Sequence, residues 1–210
     1  KCGVSPATVS KALNGYGDIG AETAELIRRT AQEMHYRPNA AARQLKTNRS
    51  NMIGVLFADE QESGLTHDFY ARILDSAKKE AEGRGFDISF ISERIGAEKT
   101  SYLEHCRYRN FDGVLISNID FSDPQVRELI ESEIPTVTVD YAYDDQSSII
   151  SDSLSGMYEL TRYVIEKGHR RIAYIHGEKK LPFTVKRLTG FYKALSETGI
   201  SIPDEYVIET

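Results

Sequence analysis

Gly3-Val4-Ser5-Pro6-Ala7-Thr8-Val9-Ser10-Lys11-Ala12-Leu13-Asn14-Gly15 reads as a short helix with a marked start and stop. Ser5 is a capping residue, Pro6 suits the first helical position, and Val9, Ala12 and Leu13 form an apolar stripe at helical spacing. Gly15, Gly17 and Gly20 then interrupt the chain. Downstream, the spacing predicts a longer helix from Ala21 to about His35, with Ala24, Ile27, Ala31 and Met34 on one face. Pro38 closes that region, because the residue before a proline resists helical geometry. Asn39 is placed to cap a short helix through Ala40-Ala41-Ala42-Arg43-Gln44-Leu45, and Lys46 to Asn51 reads as a polar linker.

From Met52 onward the pattern changes to alternating strands and helices. Ile53–Phe57, Phe86–Ile91, Gly113–Ser117, Thr136–Asp140 and Ile172–Ile175 are strand candidates, with a further strand starting near Tyr206. Amphipathic helices are predicted between them at about 69–83, 98–108, 123–132, 154–167 and 184–198, the fourth ending at Gly168. The fold class expected is a small all-α head followed by an α/β body, a parallel sheet with helices on both faces.

The 210 residues are 40% hydrophobic and 28% charged, with a formal net charge of −6. That composition builds a core and argues against wholesale disorder, and no run of apolar residues reaches membrane-spanning length. Cys2 and Cys106 are too few for a disulfide scaffold, which fits a reducing cytoplasm. The first residues do not resemble a signal peptide, and without an initiator Met the chain is expected to be a piece of a longer protein. An acidic chain argues against nucleic acid until its charge is divided. Residues 1–50 carry eight Lys/Arg against four acids, a balance of +4, leaving −10 for residues 51–210. A basic binding module on an acidic body is the reading.

The helix opened by Ser5 carries chemistry of its own. A helix that reads DNA needs an apolar face for its scaffold, small polar residues at its start and a long side chain for phosphates and base edges. Val9 and Leu13 meet the first need; Ser5, Thr8, Ser10, Lys11 and Asn14 meet the others. From these residues alone an ordinary capped surface helix is an equal reading.

The segment Gly3 to Gly15, then Tyr36-Arg37-Pro38-Asn39-Ala40-Ala41-Ala42-Arg43-Gln44-Leu45, then Ile53-Gly54-Val55, resembles the lactose/galactose repressor (LacI/GalR) family. The likeness continues, in family order and spacing, through Asp112-Gly113, Ile134-Pro135, Gly168-His169-Arg170-Arg171-Ile172-Ala173 and Arg187-Leu188-Thr189-Gly190-Phe191. It implies a helix-turn-helix head over residues 1–38, a hinge helix and linker over 39–50, and from 51 to 210 part of a core like the periplasmic sugar-binding proteins. It implies further chain at both ends. The protein would then be a bacterial cytoplasmic, nucleoid-associated repressor, a homodimer or tetramer, with operator DNA and a small-molecule effector, a sugar first, as partners.

By the same resemblance Ser5, Thr8, Ser10 and Asn14 contact phosphates, and Pro6, Ala7 and Lys11 occupy base-reading positions. Pro6 and Ala7 offer apolar contact only, as to a thymine methyl. Lys11 stands where many relatives carry Arg, keeping the charge but losing the bidentate fork for guanine. Leu45 matches a leucine wedged into the minor groove by paired hinge helices; read without the resemblance, it packs on its own domain with Ala41 one turn earlier. Arg43 and Lys46 beside it are implied backbone contacts.

For the effector, Phe69 and Tyr70 begin a helix at the carboxyl end of the first strand, where open α/β sheets place ligands; their other reading is as core aromatics. Asp140 ends the fourth strand and suits ligand hydroxyls; its other reading is a turn or helix-capping carboxylate. Arg187 matches the family arginine that forks onto sugar hydroxyls or a carboxylate; its other reading is a solvated cation beside Lys179, Lys180 and Lys186. The loop Asp59–Asp68 and the segment Lys179–Phe183 leave a nucleobase or phosphoprotein effector open.

Gly15-Tyr16-Gly17-Asp18-Ile19-Gly20 matches the dinucleotide fingerprint in letters, but a helix precedes it and residues 37–46 hold no acid for the ribose. The five histidines lack metalloprotease spacing, two lone cysteines make no zinc site, and Asp144-Asp145 reads as a solvated loop. No nucleophile-and-base arrangement appears, so no enzyme, metal or cofactor is expected. A solute-binding protein with the same core is the rival reading, which the basic head disfavours.

Overall fold

Ser5 starts the first helix by accepting the Thr8 amide at 3.1 Å through its hydroxyl, and Pro6 fills the first helical position. This computed structural model describes residues 1–39, 44–45, 47–57, 65, 68–143 and 146–210. The chain divides into two units, Lys1–Asn51 and Met52–Thr210.

In the first unit, α1 (Pro6–Leu13) ends at Asn14 and Gly15 takes the left-handed φ of 74° that a helix exit favours. α2 (Ala21–Glu33) follows the glycine loop. Ala12, Ala24 and Ile27 are buried together, with Cys2, Val4, Val9, Leu13 and Ile19 packed around them. The expected face of α2 is therefore correct at Ala24 and Ile27 but not at Met34, which is 48% exposed. The helix ends at Glu33, so Met34 sits at its C-cap, past the residues that α1 covers. Of the predicted hinge helix Ala40–Leu45, residues 40–43 lie outside the described residues, as does Lys46 of the predicted linker; Gln44, Leu45 and Thr47 are helical.

The second unit is built on a parallel sheet in the order β2-β1-β5-β6-β7. Its strands are β1 (Met52–Phe57), β2 (Asp87–Phe90), β5 (Gly113–Ser117), β6 (Thr136–Val139) and β7 (Ser147–Ile149). The chain steps from β1 outward to β2 and then back across β1 to β5, so the order reverses at the β1/β5 boundary. α3 (Asp68–Gly83), α4 (Tyr102–Arg109) and α5 (Pro124–Ile130) connect these strands. Leu56, Leu103, Cys106, Phe111, Ile116, Val126, Leu129 and Ile130 are among the buried residues of one apolar cluster. Gly54 is needed there, since a β-carbon on it would lie 2.8 Å from the Phe111 ring.

The helix predicted at 98–108 begins only at Tyr102. Ser101 and Glu104 form a reciprocal capping box, and Glu98–Lys99 pairs as β4 with β3 (Arg94–Ile95) in a short antiparallel hairpin. α6 (Ser153–Glu166) and α7 (Pro182–Glu197) then cross closely at Gly190, where a β-carbon would stand 2.3 Å from the Leu154 carbonyl oxygen. They pack with a separate parallel pair, β8 (Tyr174–His176) and β9 (Val207–Glu209), around Ile165, Phe191 and Leu195.

Candidate nucleic-acid interface and ligand pocket

The apolar residues of α1 turn inward, so its polar residues are left on the outer side. Ser5, Pro6, Ala7, Lys11 and Asn14 are exposed, and Thr8 and Ser10 half-buried. Ser5 and Thr8 share a hydroxyl–hydroxyl bond of 2.9 Å, and the Asn14 amide donates to the Ser10 carbonyl at 2.7 Å. Lys11 forms an ion pair with Asp18 in the glycine loop. On α2, Arg28 pairs with Glu25 and Arg29 with Glu33. The Gly15–Gly20 stretch joins two helices and supports no dinucleotide reading.

Leu45 is 90% exposed. Ala41, against which the alternative reading packs it, lies outside the described residues. Arg43 and Lys46 lie outside the described residues.

The second unit holds a cavity of about 160 Å³ lined by Asp140, Tyr141, Ala142, Ile150, Ser151, Pro182, Phe183 and Lys186. It lies where the carboxyl end of β6, the exit of β7 and the start of α7 meet. Asp140 takes a φ of 58°, and its amide donates to the Ile149 carbonyl at 2.8 Å. Its Oδ1 accepts the Ser151 amide at 3.0 Å and the Ser151 hydroxyl at 2.7 Å. The carboxylate thus fixes the turn and also lines the cavity. Tyr141 stacks on Phe121 with ring centroids 4.3 Å apart. Arg187 lays its guanidinium over the Phe183 ring, 5.0 Å from the centroid, beside the cavity wall. Burial raises the Tyr174 phenol above its usual value, and the charge of Arg187 pulls it the other way.

Phe69 and Tyr70 are not among that lining. Phe69 is half exposed at the start of α3; its ring meets Tyr70 at 5.1 Å, and Tyr70 meets Phe57, the last residue of β1, at 5.8 Å. Most of the Asp59–Asp68 loop before them, and Asp144-Asp145, lie outside the described residues. Tyr141, Ser151 and Lys186 were not singled out by sequence. Their one signal is adjacency: Tyr141 follows Asp140, and Lys186 precedes Arg187. Cys106 is fully buried, which pushes its thiol up to about 12 and removes it as a nucleophile.

Two family descriptions match this arrangement, each over one unit. Residues 1–39 match "Bacterial regulatory proteins, lacI family", and residues 50–209 match "Periplasmic binding proteins and sugar binding domain of LacI family". The chain belongs to the LacI family.

Among LacI-family relatives, the HTH-type transcriptional repressor PurR of Salmonella paratyphi B is 29% identical over 214 residues, covering 100% of this chain and 61% of the relative. The solved complex of the transcriptional regulator CelR with cellobiose is 27% identical with a TM-score of 0.62, over 99% of this chain and 62% of that one. The lac repressor dimer bound to operator and the anti-inducer ONPF has a TM-score of 0.71 at 24% identity, over 99% and 62%, and shows likeness of fold. The chain therefore spans about 61% of the length of the curated relatives it matches. No helix among the described residues is long and apolar enough to cross a membrane.

Proposed function

We propose that this chain is the head, hinge and part of the ligand-binding core of a sequence-specific transcriptional regulator, a repressor acting as a homodimer in the bacterial cytoplasm. The observation that carries the reading is the pairing of two units on one chain, a regulatory-protein match over the head and a sugar-binding match over the body. In it, residues 1–38 read DNA, 39–50 form the hinge and 51–210 belong to the effector core. Ser5, Thr8, Ser10 and Asn14 hold phosphates, while Pro6, Ala7 and Lys11 face bases. Leu45 is the minor-groove wedge, flanked by Arg43 and Lys46 on the backbone. One short helix gives limited affinity, and two linked heads gain from effective concentration.

The effector class favoured is a sugar, supported by the cellobiose complex of a 27% identical relative and by the pocket chemistry. Asp140 and Ser151 suit hydroxyls, Tyr141 and Phe183 offer ring faces, and Lys186 offers a charged donor, with Arg187 beside the wall; Phe69 and Tyr70, outside this cavity, are proposed as apolar contacts from a second side. No catalytic role is assigned to any residue. Effector control is linkage: to move the heads from 99% bound to 99% free, the effector must favour the non-binding core about 10⁴-fold.

The test is selection of duplexes from a randomised pool by the full-length protein, followed by mobility shift across a salt series. One enriched half-site motif, with affinity falling steeply between about 50 and 200 mM salt, is expected. Absence of binding at low salt overturns the reading. Leu45→Ala is expected to lose most affinity for the selected duplex while circular dichroism stays unchanged; full affinity would rule out the wedge.

A further inference from the structure

Lys11 is the only charged residue of α1, and its ammonium is held by Asp18, seven residues on. The loop is shaped for this contact. Gly15 leaves the helix in the left-handed region, and the Tyr16 amide donates back to the Lys11 carbonyl at 3.1 Å, folding Gly17-Asp18 over the last turn of α1. Both partners are about half exposed, so the pair lies on the outer surface and not in the packing of the head. A carboxylate near the C-terminal end of α1 is unfavourable to that helix's dipole, while two residues before Gly20, the N-cap of α2, it suits the start of α2. The Lys11 ion pair is the contact that ties it to α1.

A lysine on a DNA-facing helix is a mobile point charge. It lacks the planar fork by which arginine selects guanine, and left alone its readiest partner is the phosphate backbone, which carries no sequence information. An aspartate that holds the ammonium removes one unit of attraction for phosphate and fixes the direction in which the remaining donors point.

We propose, resting on the DNA-binding reading above, that Asp18 is a specificity-determining positioning residue, which restrains Lys11 from phosphates and presents it to base edges. Contact with non-specific DNA then requires the pair to break, whereas base contact in the selected site leaves it intact. The loop aspartate converts a residue of low selectivity into a discriminating one.

The experiment uses the full-length protein as wild type, Asp18→Asn, Asp18→Glu, Lys11→Ala and the Lys11→Ala/Asp18→Asn double variant. Each selects from a randomised duplex pool and is titrated with poly(dI-dC) over a salt series. Asp18→Asn is expected to lose preference at the base pair whose selection Lys11→Ala also abolishes. It should bind poly(dI-dC) about fivefold tighter, the scale of one exposed ion pair, with a salt dependence steeper by about one phosphate contact per head. Asp18→Glu should keep the preference, and the double variant should lose the gain. An unchanged motif and salt slope in Asp18→Asn overturns the proposal while leaving the DNA-binding reading intact. Persistence of the gain in the double variant overturns it too, since Asp18 would then act by repulsion alone. If wild type enriches no motif, both fall together.

Discussion

Gly190 shows what one missing side chain permits. Its position on α7 lets the Leu154 carbonyl and the Tyr158 amide of α6 approach to distances that a β-carbon would violate, 2.3 and 3.0 Å. The neighbours that would have to yield are backbone atoms of a helix, which have nowhere to relax. Gly190→Ala is therefore expected to cost at least about 1–3 kcal/mol, seen as a lower urea midpoint; an unchanged midpoint contradicts the packing. The same shift would displace Lys186 and Arg187, one turn away on α7, so weaker effector binding should accompany it. At this scale sequence reading did well where a residue's role is local, as with the Ser5 cap. It left Asp140 open because a carboxylate that closes a turn and one that lines a pocket look alike in sequence. Here Asp140 does both, through Ser151 and through the cavity.

Among the elements, α4 has the best-defined start. The Glu104 carboxylate accepts the Ser101 amide at 2.9 Å and the Thr100 hydroxyl at 2.9 Å, while its own amide donates to the Ser101 hydroxyl at 3.2 Å. The Ser101 backbone bond first, and the Thr100 hydroxyl second, hold the Glu104 carboxyl below its usual 4.5. A lowered folded value means the stabilisation is present above that usual value and is lost as pH falls through the folded one. Ser101→Ala is expected to cost about 1 kcal/mol at neutral pH. The stability gap between wild type and Glu104→Ala should close as thermal melts are taken down through the acid carboxylate range; a gap that stays constant there contradicts the linkage. The Ser101-Tyr102-Leu103-Glu104 signal was available in the sequence and would have corrected the early start assigned to this helix. β7 was not available in that way. Ser147–Ile149 is three exposed residues whose extended shape comes from registry with Val137–Val139 across a long loop, and nothing local announces it. Long periodic helices and apolar central strands were legible because burial is written into their own spacing.

At the scale of the whole chain, the division of charge into +4 and −10 anticipated two units, and the contacts separate at Asn51/Met52. The charge split is composition summed over a segment, which a single sequence reports well. Pocket membership depends on which loops meet, and only Asp140 among the named effector residues lines the cavity itself. Within the larger unit, the apolar cluster around Leu56 and Ile116 shares no residue with the one around Phe191 and Leu195. Two interiors without a common member need not open together. Amide hydrogen exchange should therefore resolve two opening free energies. Leu56 and Ile116, in the middle of the five-stranded sheet, should exchange orders of magnitude more slowly than Ile175, whose strand belongs to a two-stranded pair and which is 64% exposed. Equal protection would mean a single cooperative block. Unequal protection would mean that the region around α7 can breathe on its own while the sheet behind Asp140 stays shut, so a ligand could exploit partial melting rather than rigid-body motion to make its presence felt.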